Sequence, residues 1–362
     1  MVSQSNGLRV LLNLRFPNTI VPPTISTQSP SESRKLGAEK LIKGIVDETA
    51  SMCAYLYPTA DDEGIFLATG FMTVQFVNDG IFDSAAIFKA IQATPTRQRL
   101  AIDLQRLRDT PQRLAEGIMC AARIMQDPFT YRECREMMAD FTTDPFLLGA
   151  LQDLSKRLHT RGRRINKRRF EVWLTKFCDA MKDFGKSHAL IYSEAKNMTV
   201  EDYADHKLRN SGMIYTVLFV ELATGNFLSG EHNAMPCMRQ MQQHCEKIGS
   251  LLNEIFSYEK ETFLEDTNNL LAVLMRTENI NLHETSRQVA AMSQRHAQEV
   301  KRIRLEIEAE FNSKNEEEIG LMSYVAAMDL FGAGCWFWQL QGTKRYFSKT
   351  SPFIELRLRD VN

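Results

Sequence analysis

Residues Gly64–Asp83 read GIFLATGFMTVQFVNDGIFD. The first part of this stretch is apolar on nearly every side, too continuous for the in-out alternation of a half-buried strand. Read as a helix, it is a core element that ends abruptly in polar residues. Asp79 and Asp83 then fall at i and i+4, on one helix face about 6 Å apart along the axis. A carboxylate pair at the end of a greasy helix can hold hard divalent cations directly above a hydrophobic wall. An ordinary solvated helix end would carry the same residues, so this stretch alone fixes the fold and not the function.

Working outward, helical patterning continues from Lys35 to near the C-terminus, with β-branched alternation scarce. Helices are expected over about 36–57, 64–78, 84–93, 97–107, 111–126, 130–139, 145–158, 167–194, 200–223, 234–263, 265–277, 284–312 and 316–340. Pro- and Thr-containing breaks separate many of them, for example Asp109-Thr110-Pro111 and Thr143-Asp144-Pro145. Residues 1–34, which include FPNTIVPPTISTQSPSES, are expected to form an extended N-terminal strap. The rest divides into one helical domain over 35–346 and a short tail over 347–362. The expected fold class is all-α, a single bundle around a central cavity.

The composition removes several classes of function. A net charge of −1 argues against a protein held to nucleic acid by bulk charge. The seven cysteines are odd in number and scattered, without zinc-site spacing, so they read as buried thiols of a reducing compartment. The apolar runs Met213–Val220 and Tyr324–Trp338 fall short of a membrane span, and no secretory signal is apparent. The expectation is a soluble, cytoplasmic protein without a nucleic-acid partner. Self-association as a homodimer is left open.

Three further stretches carry chemistry. In Asn253-Glu254-Ile255-Phe256-Ser257-Tyr258-Glu259-Lys260-Glu261, an amide, a hydroxyl and a carboxylate recur every four residues. At about 100° per residue they drift only about 40° per step, giving an oxygen stripe suited to Mg²⁺. Lys260 lies close to the same face. In Tyr203–Met213, Arg209 stands at the polar mouth of the apolar run that follows, where a guanidinium suits phosphate, and Gly212 permits a local break. Finally Trp336-Phe337-Trp338 leads to Lys344-Arg345-Tyr346. Taken singly, each of these is more often a solvated face, a helix start or core packing.

In combination and in this order, the four segments resemble class I terpene synthases of the microbial type. Asp79 and Asp83 are similar to the family's aspartate-rich motif, with Gly80 standing where a second acid is common. Asn253, Ser257, Lys260 and Glu261 resemble its metal triad, with Glu254 in place of the usual aspartate. Arg209 lies at a spacing from Asn253 (253 − 209 = 44) like that of the family's diphosphate-sensing arginine, and Arg345-Tyr346 resembles its late Arg-Tyr pair. The resemblance implies three Mg²⁺ ions held by Asp79, Asp83, Asn253, Ser257 and Glu261. It also implies a prenyl diphosphate bound by Arg209, Lys260, Arg345 and Tyr346, and a pocket drawn from Phe71, Phe76, Tyr215, Phe219 and Trp338. The implied reaction is ionisation of farnesyl or geranylgeranyl diphosphate and cyclisation of the cation. The rivals are an all-trans prenyl chain-elongating synthase, which should carry a second aspartate-rich motif at 253–261, and an inactive helical scaffold.

Two signals are set aside at this stage. Asp61-Asp62-Glu63 reads as a solvated turn or helix cap, and the basic run 156–169 (KRLHTRGRRINKRR) as a solvated helix pair or a surface attracting the anionic substrate.

Overall fold

The helix that organises the molecule is the most apolar short one. In the computed structural model, α6 (Met213–Thr224) buries every residue from Tyr215 to Ala223. A helix hydrophobic all round has no solvent face and must be enclosed. It is flanked by α2 (Asp62–Phe82), α5 (Leu148–Glu194), α8 (Pro236–Phe263) and α11 (Glu316–Phe337). Around these lie α1 (Pro30–Leu56), α3 (Pro111–Gln126), α4 (Tyr131–Met137), α7 (Gly230–Ala234), α9 (Leu270–Glu278) and α10 (Leu282–Glu310). A π turn, Trp338–Gly342, extends α11. The structure describes residues 30–82, 102–103, 105–107, 110–141, 144, 146–194, 199–203, 207, 211–263, 269–311, 315–343 and 346, without the side chains of 30–42, 77–82, 111, 188–194, 260 and 263. Among the described residues there is no strand, as the sequence pattern predicts.

Glycines in the left-handed region close α6 at both ends, Gly212 at φ 70° and Gly225 at φ 74°. The break at Gly212 therefore divides the single helix expected over 200–223. Along α6, Gly64 of α2 lies so near that a Cβ there would sit 1.9 Å from the Ala223 carbonyl oxygen. Only glycine allows that approach. Trp173 of α5 donates from Nε1 to the Leu218 carbonyl at 2.7 Å, and Tyr57 donates its hydroxyl to the Thr216 carbonyl at 2.8 Å.

At the C-terminal end of α6, Arg161 is 1% exposed and donates to the Leu222 and Ala223 carbonyls, both at 3.0 Å. These are carbonyls the helix itself cannot satisfy. The same guanidinium reaches Asp61 Oδ2 and Glu63 Oε2, each at 3.0 Å. This adds a partner to two readings. The acidic cluster does cap α2, since Asp61 accepts from the Gly64 amide at 2.7 Å, but it also neutralises a buried arginine. The basic run is not solvated throughout, because Arg161 faces inward.

Other boundaries shift for local reasons. α1 begins at Pro30, inside the expected strap, because proline is well suited to a first helical position. α5 runs through the expected gap at 159–166 and departs from helical geometry at Asn166 (φ −158°, ψ 97°). There the Asn166 Oδ1 accepts from the Arg169 amide at 3.1 Å and starts the second half of the helix. The α11 segment Glu316–Gly342 is longer than its apolar run suggested and passes the length and composition test for a membrane span. Yet Leu321, Tyr324, Val325, Met328, Phe331 and Cys335 along it are buried in the bundle, as in a core helix.

Between α8 and α10, His244 and His296 bring their Nδ1 atoms to 2.9 Å. Burial lowers both, His296 to about 4, with His244, Lys247 and Arg295 adding to the effect and Glu299 opposing it. The unfolded chain therefore takes up protons before this pair does, so the contribution is retained at neutral pH and lost as pH falls through the ordinary histidine range towards 4. Thermal unfolding followed by circular dichroism should show a Tm that declines from pH 7 to pH 5, and His296→Phe should flatten that slope.

Candidate metal and diphosphate site

The chemistry-bearing segments of the sequence are tied together around the Gly212 end of α6. From α2, Gln75 accepts the Tyr215 hydroxyl at 3.3 Å, and Asp79 lies one helical turn further on, in the last turn of α2. From α8, Ser250 donates to Ser211 Oγ at 2.8 Å, and Asn253 lies three residues further along the same helix. From the C-terminal side, the Trp338 ring sits 6.2 Å from Phe76 of α2. Tyr346 receives a hydrogen bond from Asn253 Nδ2 at 3.3 Å and donates to Gln339 Oε1 at 3.4 Å. Phe256 stacks on Tyr346 with ring centroids 6.2 Å apart. A chain of contacts thus runs from α2 through the π turn to α8, near the start of α6.

Within α8 the oxygen stripe has the form the spacing predicts. Asn253 commits its amide nitrogen to Tyr346, and Glu261 Oε2 accepts from Asn269 Nδ2 at 2.8 Å. Between them Ser257 is 1% exposed, and its hydroxyl has no hydrogen-bond partner among the described residues. A buried hydroxyl without a partner costs about 1–3 kcal/mol, and a cation is the kind of group that would recover it. Amide oxygen, hydroxyl and carboxylate on one face are the oxygen donors a hard divalent ion takes. These residues fit such an ion. No three His, Cys, Asp or Glu side chains cluster at metal-binding range among the described residues; a stripe drawn mainly from amide and hydroxyl would not form such a cluster.

Glu254 is excluded from the stripe by its own bonds. It accepts from the Tyr203 hydroxyl at 2.9 Å and the Leu270 amide at 2.6 Å, and pairs with Lys207 Nζ at 2.7 Å. Burial disfavours the Lys207 charge, but the Glu254 carboxylate outweighs it and holds the ammonium well above the ordinary lysine range. Burial pushes the Glu254 carboxyl up, with Lys207 acting against it. Sequence reading gave no role to Gln75, Lys207, Asn269 or Gln339; only Asn269, as a cap ahead of an apolar run, carried a readable signal.

The aromatic residues divide into two groups. Phe71 and Phe219 show no accessible surface, stack on each other at 5.4 Å, and both meet Phe177 edge-on. Both are packed against other core rings. Tyr215, Phe76 and Trp338 lie at the Gly212 end, and the Trp338 indole N–H is buried without a partner among the described residues. Lys260 lies in α8 with its side chain outside the description, and Asp83, Arg209 and Arg345 lie outside the described residues.

Solved structures with this fold include wild-type cucumene synthase, with a TM-score of 0.60 and 17% identity over 84% of this chain and 89% of that one. α-Eudesmol synthase gives a TM-score of 0.62 and 15% identity over 94% of each chain. Germacradien-4-ol synthase from Streptomyces citricolor gives 0.60 and 18% over 92% of this chain and 91% of that one. No curated protein sequence matches the chain. Residues 71–299, more than half of the chain, match the family described as terpene synthase family 2, C-terminal metal binding, and the chain belongs to that family. It is a terpene synthase of the class I helical fold, and the family's substrates are prenyl diphosphates.

Removing the unpartnered hydroxyl separates stability from function. Ser257→Ala should raise the stability of the metal-free protein by about 1 kcal/mol, since it deletes an unsatisfied buried group, while lowering metal-dependent turnover at least tenfold. Chemical denaturation in EDTA and a product assay measure the two effects on one preparation.

Proposed function

We propose that the protein is a magnesium-dependent cyclase that ionises a linear C15 or C20 prenyl diphosphate and closes the resulting cation into a sesquiterpene or diterpene. The observation that carries this reading is the Asn253, Ser257, Glu261 stripe with a buried hydroxyl at its centre that has no hydrogen-bond partner among the described residues. On this reading the family-like pair Asp79 and Asp83 supplies the second set of carboxylates; Asp79 follows Gln75 by one turn of α2, its side chain and all of Asp83 lying outside the described residues. Mg²⁺ held by these two motifs would supply the positive charge that makes diphosphate a good leaving group.

The remaining work falls to the chain. Heterolysis of the C1–O bond sends the electron pair to the diphosphate and leaves an allylic cation. Arg209, Lys260, Arg345 and the Tyr346 hydroxyl stabilise the departing anion, fixed positive charge and donors being most effective where charge develops. Tyr215, Phe76 and Trp338 face the hydrocarbon. Their ring faces can each stabilise a passing cation by roughly 0.5–2 kcal/mol, and their bulk excludes water. The reaction ends when a proton leaves the cyclised cation, or water adds to it, with diphosphate as the other product. A cytoplasmic location suits the seven thiols, six of them buried.

Incubation with Mg²⁺ and farnesyl or geranylgeranyl diphosphate, followed by gas chromatography–mass spectrometry, should yield a cyclic hydrocarbon or alcohol from one of the two. With isopentenyl diphosphate added as the five-carbon donor, a longer prenyl diphosphate would instead identify a chain-elongating synthase, and no turnover in either incubation a binding scaffold. Glu261→Gln and Arg209→Ala should each abolish product, by at least a hundredfold, with the helical circular-dichroism spectrum unchanged. Near-normal turnover by either variant overturns the assignment.

A further inference from the structure

We infer that Asn269 is the positioning residue for the metal-ligating carboxylate of Glu261, a proposal that rests on the site reading above. Asn269 lies outside the triad, eight residues beyond Glu261, and is 1% exposed. It makes three hydrogen bonds at once. Its Oδ1 accepts from the Leu271 amide at 2.8 Å, which caps the N-terminus of α9. Its Nδ2 donates to Glu261 Oε2 at 2.8 Å and to the Glu254 backbone carbonyl at 2.8 Å.

The cap decides the orientation of the amide. The Leu271 N–H can bond only to the oxygen, so the NH₂ group necessarily faces Glu261 and Glu254. Both its protons are then committed to α8. The Glu261 carboxylate is held by one oxygen, and Oε1 has no partner among the described residues. A carboxylate with one oxygen anchored and the other available is set up for monodentate ligation, at a rotamer chosen before any ion arrives.

Few other side chains could do this. Serine caps a helix as well as asparagine but is too short to span to Glu261. Aspartate also caps, yet it would place a carboxylate oxygen where the donor now stands, against Glu261. The clamp also has a reason to exist. Among the described residues Lys207 forms its ion pair with Glu254 and not with Glu261. Asn269 is the neutral donor that keeps Glu261 in place without adding a competing cation.

The test uses the full chain, Asn269→Ser as the main variant, and Asn269→Asp as a second one with the cap and volume kept, read in its place should the first not fold. Mn²⁺ binding in the presence of inorganic diphosphate, followed by the loss of the free-ion electron paramagnetic resonance signal, should weaken about 10–100-fold. The Mg²⁺ concentration for half-maximal turnover should rise over the same range, while kcat at saturating Mg²⁺ falls much less. The rise in Tm caused by Mg²⁺ plus diphosphate should shrink, with the Tm in EDTA little changed. Glu261→Gln serves as the control. If it still binds Mn²⁺ and turns over normally, the site reading itself fails. If Glu261→Gln is inactive but the folded Asn269 variant shows the parental Mn²⁺ and Mg²⁺ titrations, Asn269 is only a helix cap and the inference is overturned.

Discussion

A helix with no polar face must be surrounded, and the rest of this molecule follows from surrounding α6. Four helices enclose it, and the demand is strict enough that Gly64 gives up its side chain to let α2 approach the Ala223 carbonyl. Enclosure leaves the two ends of α6 as the places where its backbone dipoles meet other groups. The C-terminal carbonyls meet a buried guanidinium. The N-terminal end breaks at a left-handed glycine, and there the polar residues of α2, α8 and the π turn assemble. The polarity of one buried helix thus sorts the molecule into a closed end and a chemical end.

At the chemical end the buried polar groups form two sets with different duties. Glu254, Lys207, Tyr203 and the Leu270 amide are tied to one another by two hydrogen bonds and an ion pair. A network of this kind is worth keeping buried only when its members are satisfied. Asn253, Ser257 and Glu261, in contrast, are only partly satisfied, and the deficit is concentrated on the one atom at the centre of the stripe. The first set lies beside the second and joins α8 to the segment that carries Arg209. A ligand that completes the second set therefore binds to a framework already fixed by the first.

Much of this was legible in the chain itself. The i, i+4, i+8 recurrence from Asn253 to Glu261 and the apolar blocks at Gly64–Val77 and Met213–Val220 are periodic signals, and periodicity survives in one dimension. Helix ends were harder, because a proline reads as a break when it is also a good first residue, as Pro30 is. Long-range partnerships were not legible. Arg161 meets Asp61 across an interval of 100 residues, so a basic run and an acidic cluster each looked solvated when read alone. The stacking of Phe71 on Phe219 was hidden for a related reason, since sequence does not show which aromatics pack on one another.

The guanidinium beneath the closed end has a consequence for how the enzyme can change over time. Arg161 bonds at four points to α6 and to the start of α2, so these two helices are fixed relative to each other at the end remote from the proposed site. Near the Gly212 end, the ties run through side chains, among them Tyr215 to Gln75 and Tyr346 to Gln339, and not through a charged group bound to the helix carbonyls. Variation there can reshape the space offered to a folding hydrocarbon while the anchored base preserves register. Diversification of product is thereby uncoupled from the risk of unfolding, and one scaffold can accommodate many carbon skeletons.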